Sequence, residues 1–306
     1  MRPDPGHRES AVTVGSFDGV HRGHRAVIDL CVQGARATDR RSLIVTFAQH
    51  PLSTLAPPHA PALLTTTERK IELLAETGAD AIVCLPFDEN LAAIEAPDFV
   101  GKVLFERLGA TLVVCGYDFN FGRGGRGTAE TIRTAGLQKG VQVVIVPPQV
   151  DDDQPISSTR VREALREGRI REANRLLGRA FDLDGAVVAG DRRGRRLEFP
   201  TANLLIGAGV CAPVTGVYAV RARTREDGPW KAMMNIGRAP TFGLGENRLE
   251  VHLFDFEGDL YGKRLRAEFV ERMREERRFE SAEALVEQLK RDREMALKIH
   301  AESEKS

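Results

Sequence analysis

Val12–His24 reads VTVGSFDGVHRGH, and this stretch decides how the first half of the chain folds. Ala11–Val14 is short and β-branched, so it reads as a buried strand. Gly15 and Gly19 bracket a turn in which the backbone can approach a phosphate closely. From His24 the sequence HRAVIDLC spaces Val27, Ile28 and Cys31 along one helix face. His21 and His24 therefore stand at i and i+3 near a helix N-terminus, where free N–H groups and the helix dipole favour anions. Imidazoles placed there can donate hydrogen bonds to phosphate oxygens as charge develops. Strand, glycine turn, two histidines and helix together suit holding a nucleoside triphosphate while its α-phosphorus is attacked.

Working outward, strand-like and helix-like patterns alternate through the first half. Val12–Val14, Leu43–Phe47, Ala81–Leu85, Thr111–Cys115 and Val141–Val146 are the predicted strands, and four of the five are continuously apolar. A parallel sheet covered on both faces requires that pattern. Predicted helices lie between them at His24–Ala37, Thr67–Thr77, Asp98–Leu108 and Thr128–Ala135, with Gly78 and Gly109 as stop signals and Pro97 as a start. The class is an open, doubly wound α/β domain, whose ligands bind outside the C-terminal ends of the strands. The turn at Gly15–His24 follows its strand directly and so lies on that edge.

Two helical pieces, Thr159–Glu167 and Arg171–Leu177, close this half, and the texture changes near Gly178. Short β-branched runs follow at Ala186–Val188, Val217–Ala222, Lys231–Ile236, Leu249–Phe254 and Leu265–Phe269. That pattern predicts a small antiparallel barrel. The tail returns to helix, with Ser281 as N-cap and an apolar stripe of Ala282, Leu285, Val286 and Leu289 to pack on the barrel. Domains of 1–179 and 180–306 suit a chain of 306 residues. Forty-four basic and 44 acidic residues leave no field for nucleic acid or a membrane surface. Cys31, Cys84, Cys115 and Cys211 are widely spaced, which reads as free thiols in a reducing cytoplasm. No secretory signal is expected from MRPDPGHRES, and no apolar run is long enough to predict a membrane span.

Several further segments offer polar groups at strand or helix ends. His50 ends TFAQHP, and by residue type alone it reads as structural or solvated. Gly116–Gly127 (GYDFNFGRGGRG) offers the flat rings of Phe119 and Phe121 and the hydrogen-bonding groups of Asp118 and Asn120, or is simply a surface loop. In ISSTRVREAL, Ser157, Ser158 and Thr159 are capping residues, and Arg162 stands about one turn in, where it could reach a phosphate. Gly190 and Gly194 make a loop able to wrap phosphates, while Thr201 and Asn203 are hard oxygen donors two residues apart, suited to Mg²⁺ carried by a nucleotide. By type alone, Glu250 reads as a solvated strand end and Arg274 as a solvated cation among charged neighbours.

The N-terminal stretch closely resembles the HxGH signature of the nucleotidylyltransferase superfamily. In the form GSFDGVHRGH it is similar to the bacterial bifunctional riboflavin kinase/FMN adenylyltransferases. TFAQHP, the GxxFxFG-like loop, SSTxxR, FPTAN, NIGRAPTF and EVHLFDFEGDLYG follow in that family's order, so the resemblance runs from about Val12 to Leu297. It implies ATP-dependent phosphorylation of riboflavin by the second half and adenylylation of FMN to FAD by the first. FMN and FAD are then substrate and product rather than prosthetic groups. The family likeness implies adenylyl transfer at His21 and His24, with nucleotide held by Gly15, Phe17, Asp18, Gly19, Ser158, Thr159 and Arg162. It also implies flavin contacts at His50, Asp118, Asn120 and Arg274, Mg²⁺ at Thr201 and Asn203, and Glu250 as the general base of the kinase. Two positions depart from the family: Asn120 where relatives are often basic, and Glu198 where they usually carry glycine. Two other readings share part of this pattern: a nucleotidylyltransferase for another phosphorylated alcohol, and a flavin-binding regulator with a decayed kinase site.

Overall fold

The computed structural model describes residues 9–189, 199–238 and 247–305. Gly190, Gly194 and Glu198 lie outside the described residues. The chain divides into two compact units, one up to Ser158 and one from Thr159.

The first unit is built on five parallel strands. These are β1 (Ser10–Val14), β2 (Arg41–Phe47), β3 (Ala81–Leu85), β4 (Ala110–Gly116) and β5 (Gln142–Val146), in the order β3-β2-β1-β4-β5. Strand order reverses between β1 and β4, which makes the carboxyl ends of those two strands the switch point. Helices α1 (Arg22–Ala37), α2 (Thr67–Ala75), α3 (Phe99–Arg107) and α4 (Ala129–Lys139) connect them. Each predicted strand and helix is present within a few residues. Helix α3 is wound as a π-helix rather than an α-helix. One-turn helices at Pro51–Leu55 and Glu89–Ala92 were not foreseen, because their few residues carry no apolar period. Val12, Val14, Val45, Val113 and Cys115 form a core layer with Phe99, Leu104 and Ile132 on one side of the sheet. Ala11, Leu112 and Val114 pack with Val27, Cys31 and Ala35 of α1 on the other. Burial pushes the Cys31 thiol up to about 12 and that of Cys115 to about 11, so both are inert packing groups.

In the second unit, helices α5 (Ser158–Arg166, its first residue still in the first unit) and α6 (Ile170–Leu177) precede a closed antiparallel barrel. Its strands are β6 (Asp182–Val188), β7 (Ala202–Ile206), β8 (Gly216–Arg223), β9 (Trp230–Arg238), β10 (Asn247–Leu253) and β11 (Arg264–Arg274), in the order β6-β7-β10-β9-β8-β11. Strand β7 is additional to the predicted set. Alternation sorts the side chains: Tyr218, Met234 and Val251 share one register row and are wholly buried. The opposite face of β8 and β9 is covered by helix α7 (Ala282–Ser303). There Ala219, Met233 and Ala296 are buried with Val286 and Leu289 against them, as the apolar stripe predicts. Ser281 caps α7, its hydroxyl accepting from the Ala284 amide at 3.1 Å.

Candidate active sites

The turn after β1 is held in a costly conformation. Phe17 and Val20 have φ of 47° and 42°, and Gly19 has φ of 81°. A non-glycine residue there costs about 1–3 kcal/mol, and a β-branched valine is the more unusual case. Neighbouring segments of the same chain over-determine this shape. Both Asp18 carboxylate oxygens accept from the Leu64 amide at 3.0 Å, and Oδ1 also accepts from the Thr65 amide at 3.2 Å. The Ser158 hydroxyl donates to the Asp18 carbonyl at 3.0 Å. Asp18 is 3 % exposed, so its side chain acts on the turn from within.

His21 is the N-cap of α1, its Nδ1 accepting from the His24 amide at 3.2 Å. A nitrogen that accepts carries no proton, so the neutral ring bears its hydrogen on Nε2. The two imidazoles stack with centroids 3.6 Å apart at 17°. Phe17 meets His24 edge-on at 5.3 Å. Gly23 lets the pair close up, since a Cβ there would lie 3.1 Å from the His21 ring. Two imidazoles thus sit at the amino end of a helix, at the switch-point edge, where an anion is favoured.

The segment after β4 lies on the same edge. Asn120 and Asp118 are exposed, and the Asn120 amide donates to the Asp118 carbonyl at 2.8 Å. Phe119 and Phe121 stack at 5.3 Å, but Phe121 is only 8 % exposed and packs on Phe99. The expectation that both rings offer surface is corrected: Phe121 belongs to the core, because pairing of Asn120–Phe121 with Gly127–Thr128 turns it inward. His50 caps Pro51–Leu55, its Nδ1 accepting from the Leu52 amide at 3.2 Å. Thr159 and Arg162 lie in the first turns of α5, with Arg162 buried.

On the barrel, strand register assembles the second site. Asn203 of β7 lies opposite Glu250 of β10, Glu250 opposite Asn235 of β9, Asn235 opposite Val217 of β8, and Val217 opposite Arg274 of β11. Residues paired in this way share a face, so one row runs across five strands. Beside it lies a cavity of about 290 Å³, walled by Thr201, Asn235, Glu250, His252 and Arg274, with Leu285 and Leu289 of α7. The Glu250 carboxylate accepts from Arg248 Nη2 at 2.7 Å. His252 Nδ1 lies 2.8 Å from the Pro200 carbonyl. A carbonyl can only accept, so Nδ1 carries the proton and Nε2 is an acceptor. Burial pushes the His252 ring below its ordinary range, which keeps it neutral. The hydroxyl of Thr201 and the amide oxygen of Asn203 are hard donors on the Glu250 face, a donor type that fits a Mg²⁺ ion delivered by a nucleotide.

Arg274 forms a fork with Asp292 of α7, Nε to Oδ1 at 2.9 Å and Nη2 to Oδ2 at 2.6 Å. Asp292 is fully buried and also accepts from Gln288 at 2.7 Å. Removing one partner of a buried pair costs about 3–5 kcal/mol. Asp292→Ala is expected to destabilise the second unit by about that amount in a urea melt. An unchanged midpoint would show that the pair does not order the cavity wall.

Two family models match this chain: FAD synthetase over residues 4–160 and riboflavin kinase over residues 177–300. The bifunctional riboflavin kinase/FMN adenylyltransferase of Escherichia coli strain K12 is 37% identical over 281 residues, covering 92% of this chain and 90% of the relative. The protein of the same name from Pseudomonas fluorescens is 39% identical over 287 residues, covering 93% and 90%. The chain belongs to the bifunctional riboflavin kinase/FMN adenylyltransferase family. A crystal structure of a Streptococcus pneumoniae protein named a macrolide-efflux protein is similar to this chain, with TM-score 0.85, 33% identity and coverage of 96% of this chain and 95% of that one. Among the described residues, no helix is long and apolar enough to cross a membrane.

Three residues at these sites were not singled out in the sequence. Asn235 enters through its register with Glu250, and His252 through its cavity wall and its bond to Pro200. Lys70 enters through its side-chain contacts behind the β1 turn. Asn235 and His252 lie inside the quoted NIGRAPTF and EVHLFDFEGDLYG segments, but their places at the site, like that of Lys70, depend on pairing between distant segments.

Proposed function

We propose that the barrel transfers the γ-phosphoryl of ATP to the ribityl 5′-hydroxyl of riboflavin, and that the parallel-sheet unit adenylylates the resulting FMN to FAD with release of pyrophosphate. The observation that carries this reading is the presence, in one chain, of a stacked histidine pair at a helix N-terminus and a polar row centred on the Glu250 carboxylate beside a cavity on the barrel. The functional division is drawn at 179/180, with residues 1–179 as adenylyltransferase and 180–306 as kinase. The riboflavin kinase match beginning at 177 supports that boundary.

In the kinase, Glu250 accepts the proton of the 5′-hydroxyl as that oxygen attacks. Arg248 orients the carboxylate, and Arg274, held by Asp292, contacts the flavin from the far end of the row. Thr201 and Asn203 would hold Mg²⁺, which would neutralise phosphate charge when bound with ATP. In the adenylyltransferase, an FMN phosphate oxygen attacks the α-phosphorus of ATP and pyrophosphate leaves, with no covalent protein intermediate. His21 and His24 stabilise the charge that develops, and the turn of Gly15, Phe17, Asp18 and Gly19 sets their position. Ser158, Thr159 and Arg162 hold the triphosphate, and His50, Asp118 and Asn120 contact the flavin. Four cysteines, none of them in a disulfide, suit a cytoplasmic enzyme acting on small molecules.

Product stoichiometry tests the scheme. Each FAD made from riboflavin is expected to release one ADP and one pyrophosphate. Pyrophosphate release without flavin adenylylation would favour another phosphorylated alcohol as substrate, and no turnover with flavin bound would favour a regulator.

A further inference from the structure

Lys70 lies near the start of α2, a place where a lysine is normally solvated, yet it is only 6 % exposed. Its ammonium donates to the Ser16 carbonyl at 3.2 Å and to the Phe47 carbonyl at 2.5 Å. Ser16 opens the turn after β1, and Phe47 is the last residue of β2. The Asp18 carboxylate crosses the other way, from that turn to the Leu64 and Thr65 amides just ahead of α2. A further bond joins the two segments, from the Gly19 amide to the Thr65 hydroxyl at 3.3 Å. The left-handed residues Phe17, Gly19 and Val20 lie within this double lock, and His21 follows them directly.

We infer that Lys70 is a positioning residue for adenylyl transfer: by holding the Ser16 carbonyl in the turn after β1 and the Phe47 carbonyl at the end of β2 it keeps the strained turn, and with it the His21–His24 pair, in the geometry that meets the triphosphate. A buried ammonium is an expensive way to fill this space, and an apolar side chain would pack there without it. What the cation supplies is donors to two carbonyls whose positions set the turn. A displacement of about 1 Å at such a site costs about 10²-fold in rate. Burial pushes the Lys70 ammonium below its ordinary range, while the Asp18 carboxylate and the Cys84 thiol that face it pull the other way. Its charge is therefore lost as pH rises through that lowered value, and the lock weakens with it.

The inference rests on assigning FMN adenylylation to the first unit, and riboflavin phosphorylation by the same polypeptide serves as internal control. In Lys70→Met, kcat for FMN adenylylation is expected to fall about 10²-fold, with a smaller change in the KM for ATP and phosphorylation within about twofold of wild type. Lys70→Arg keeps the cation and is expected to recover part of the loss, with the alkaline limb of the adenylylation profile moved to higher pH. Wild-type adenylylation should lose activity below the ordinary lysine range, on a limb absent from the phosphorylation profile. Adenylylation by Lys70→Met within about threefold of wild type would overturn the inference. So would an alkaline limb that stays in place in an active Lys70→Arg enzyme. If Lys70→Met fails to fold, the wild-type profile decides: adenylylation holding steady up to the ordinary lysine range removes Lys70 from the role. Wild-type enzyme that makes no FAD from FMN would instead refute the assignment of the first unit.

Discussion

His24→Ala is expected to reduce FMN adenylylation by at least about 10²–10³-fold, the cost of removing one donor from a site of developing charge. The stacked geometry places this ring against His21 at 3.6 Å, at the amino end of α1. Alanine keeps the backbone amide that His21 Nδ1 caps, so the helix start survives and the loss falls on the chemistry. Riboflavin phosphorylation should be unchanged, because the barrel closes on itself without any residue of the first unit. The assay is FAD formation from FMN and ATP beside FMN formation from riboflavin, using one preparation. Full FAD synthesis by the variant would remove His24 from the reaction.

Glu250→Gln is expected to have the mirror-image effect. The amide is nearly isosteric with the carboxylate but takes up no proton, and a positioned general base contributes about 10²–10⁴-fold. FMN formation should fall by that factor, with FAD formation from supplied FMN unaltered. Since Arg248 bonds the carboxylate at 2.7 Å and the strand is fixed on both sides by Asn203 and Asn235, the loss should appear in kcat rather than in folding. A variant that phosphorylates riboflavin at the wild-type rate would show that Glu250 is not the base. Paired with His24→Ala, it separates the two reactions on one chain.

Much of this architecture was legible because its signals are local. The switch-point turn could be read from Val12–His24 because a strand, two glycines and an amphipathic helix each leave their own pattern within a few residues. The barrel was legible as a texture of short alternating runs. Strand β7 was not, since Ala202–Ile206 is short, follows a proline and places Asn203 and an exposed Leu205 on one face. Phe121 shows a second limit: two rings in a glycine-rich loop look alike in sequence, and only the ladder with Gly127–Thr128 decides which is buried. Lys70 and Asn235 mark a third. The role of Lys70 lies in carbonyls 54 and 23 residues away in the chain, and that of Asn235 in strand register.

The central claim is that one chain carries both steps, phosphorylation before adenylylation. A chromatographic time course of purified enzyme with riboflavin, ATP and Mg²⁺ tests it most directly. FMN should rise first and FAD follow at its expense, which would also show that Glu198 is tolerated in the kinase. FAD formed only when FMN is supplied, with riboflavin left unchanged, would contradict the claim and leave a single working adenylyltransferase.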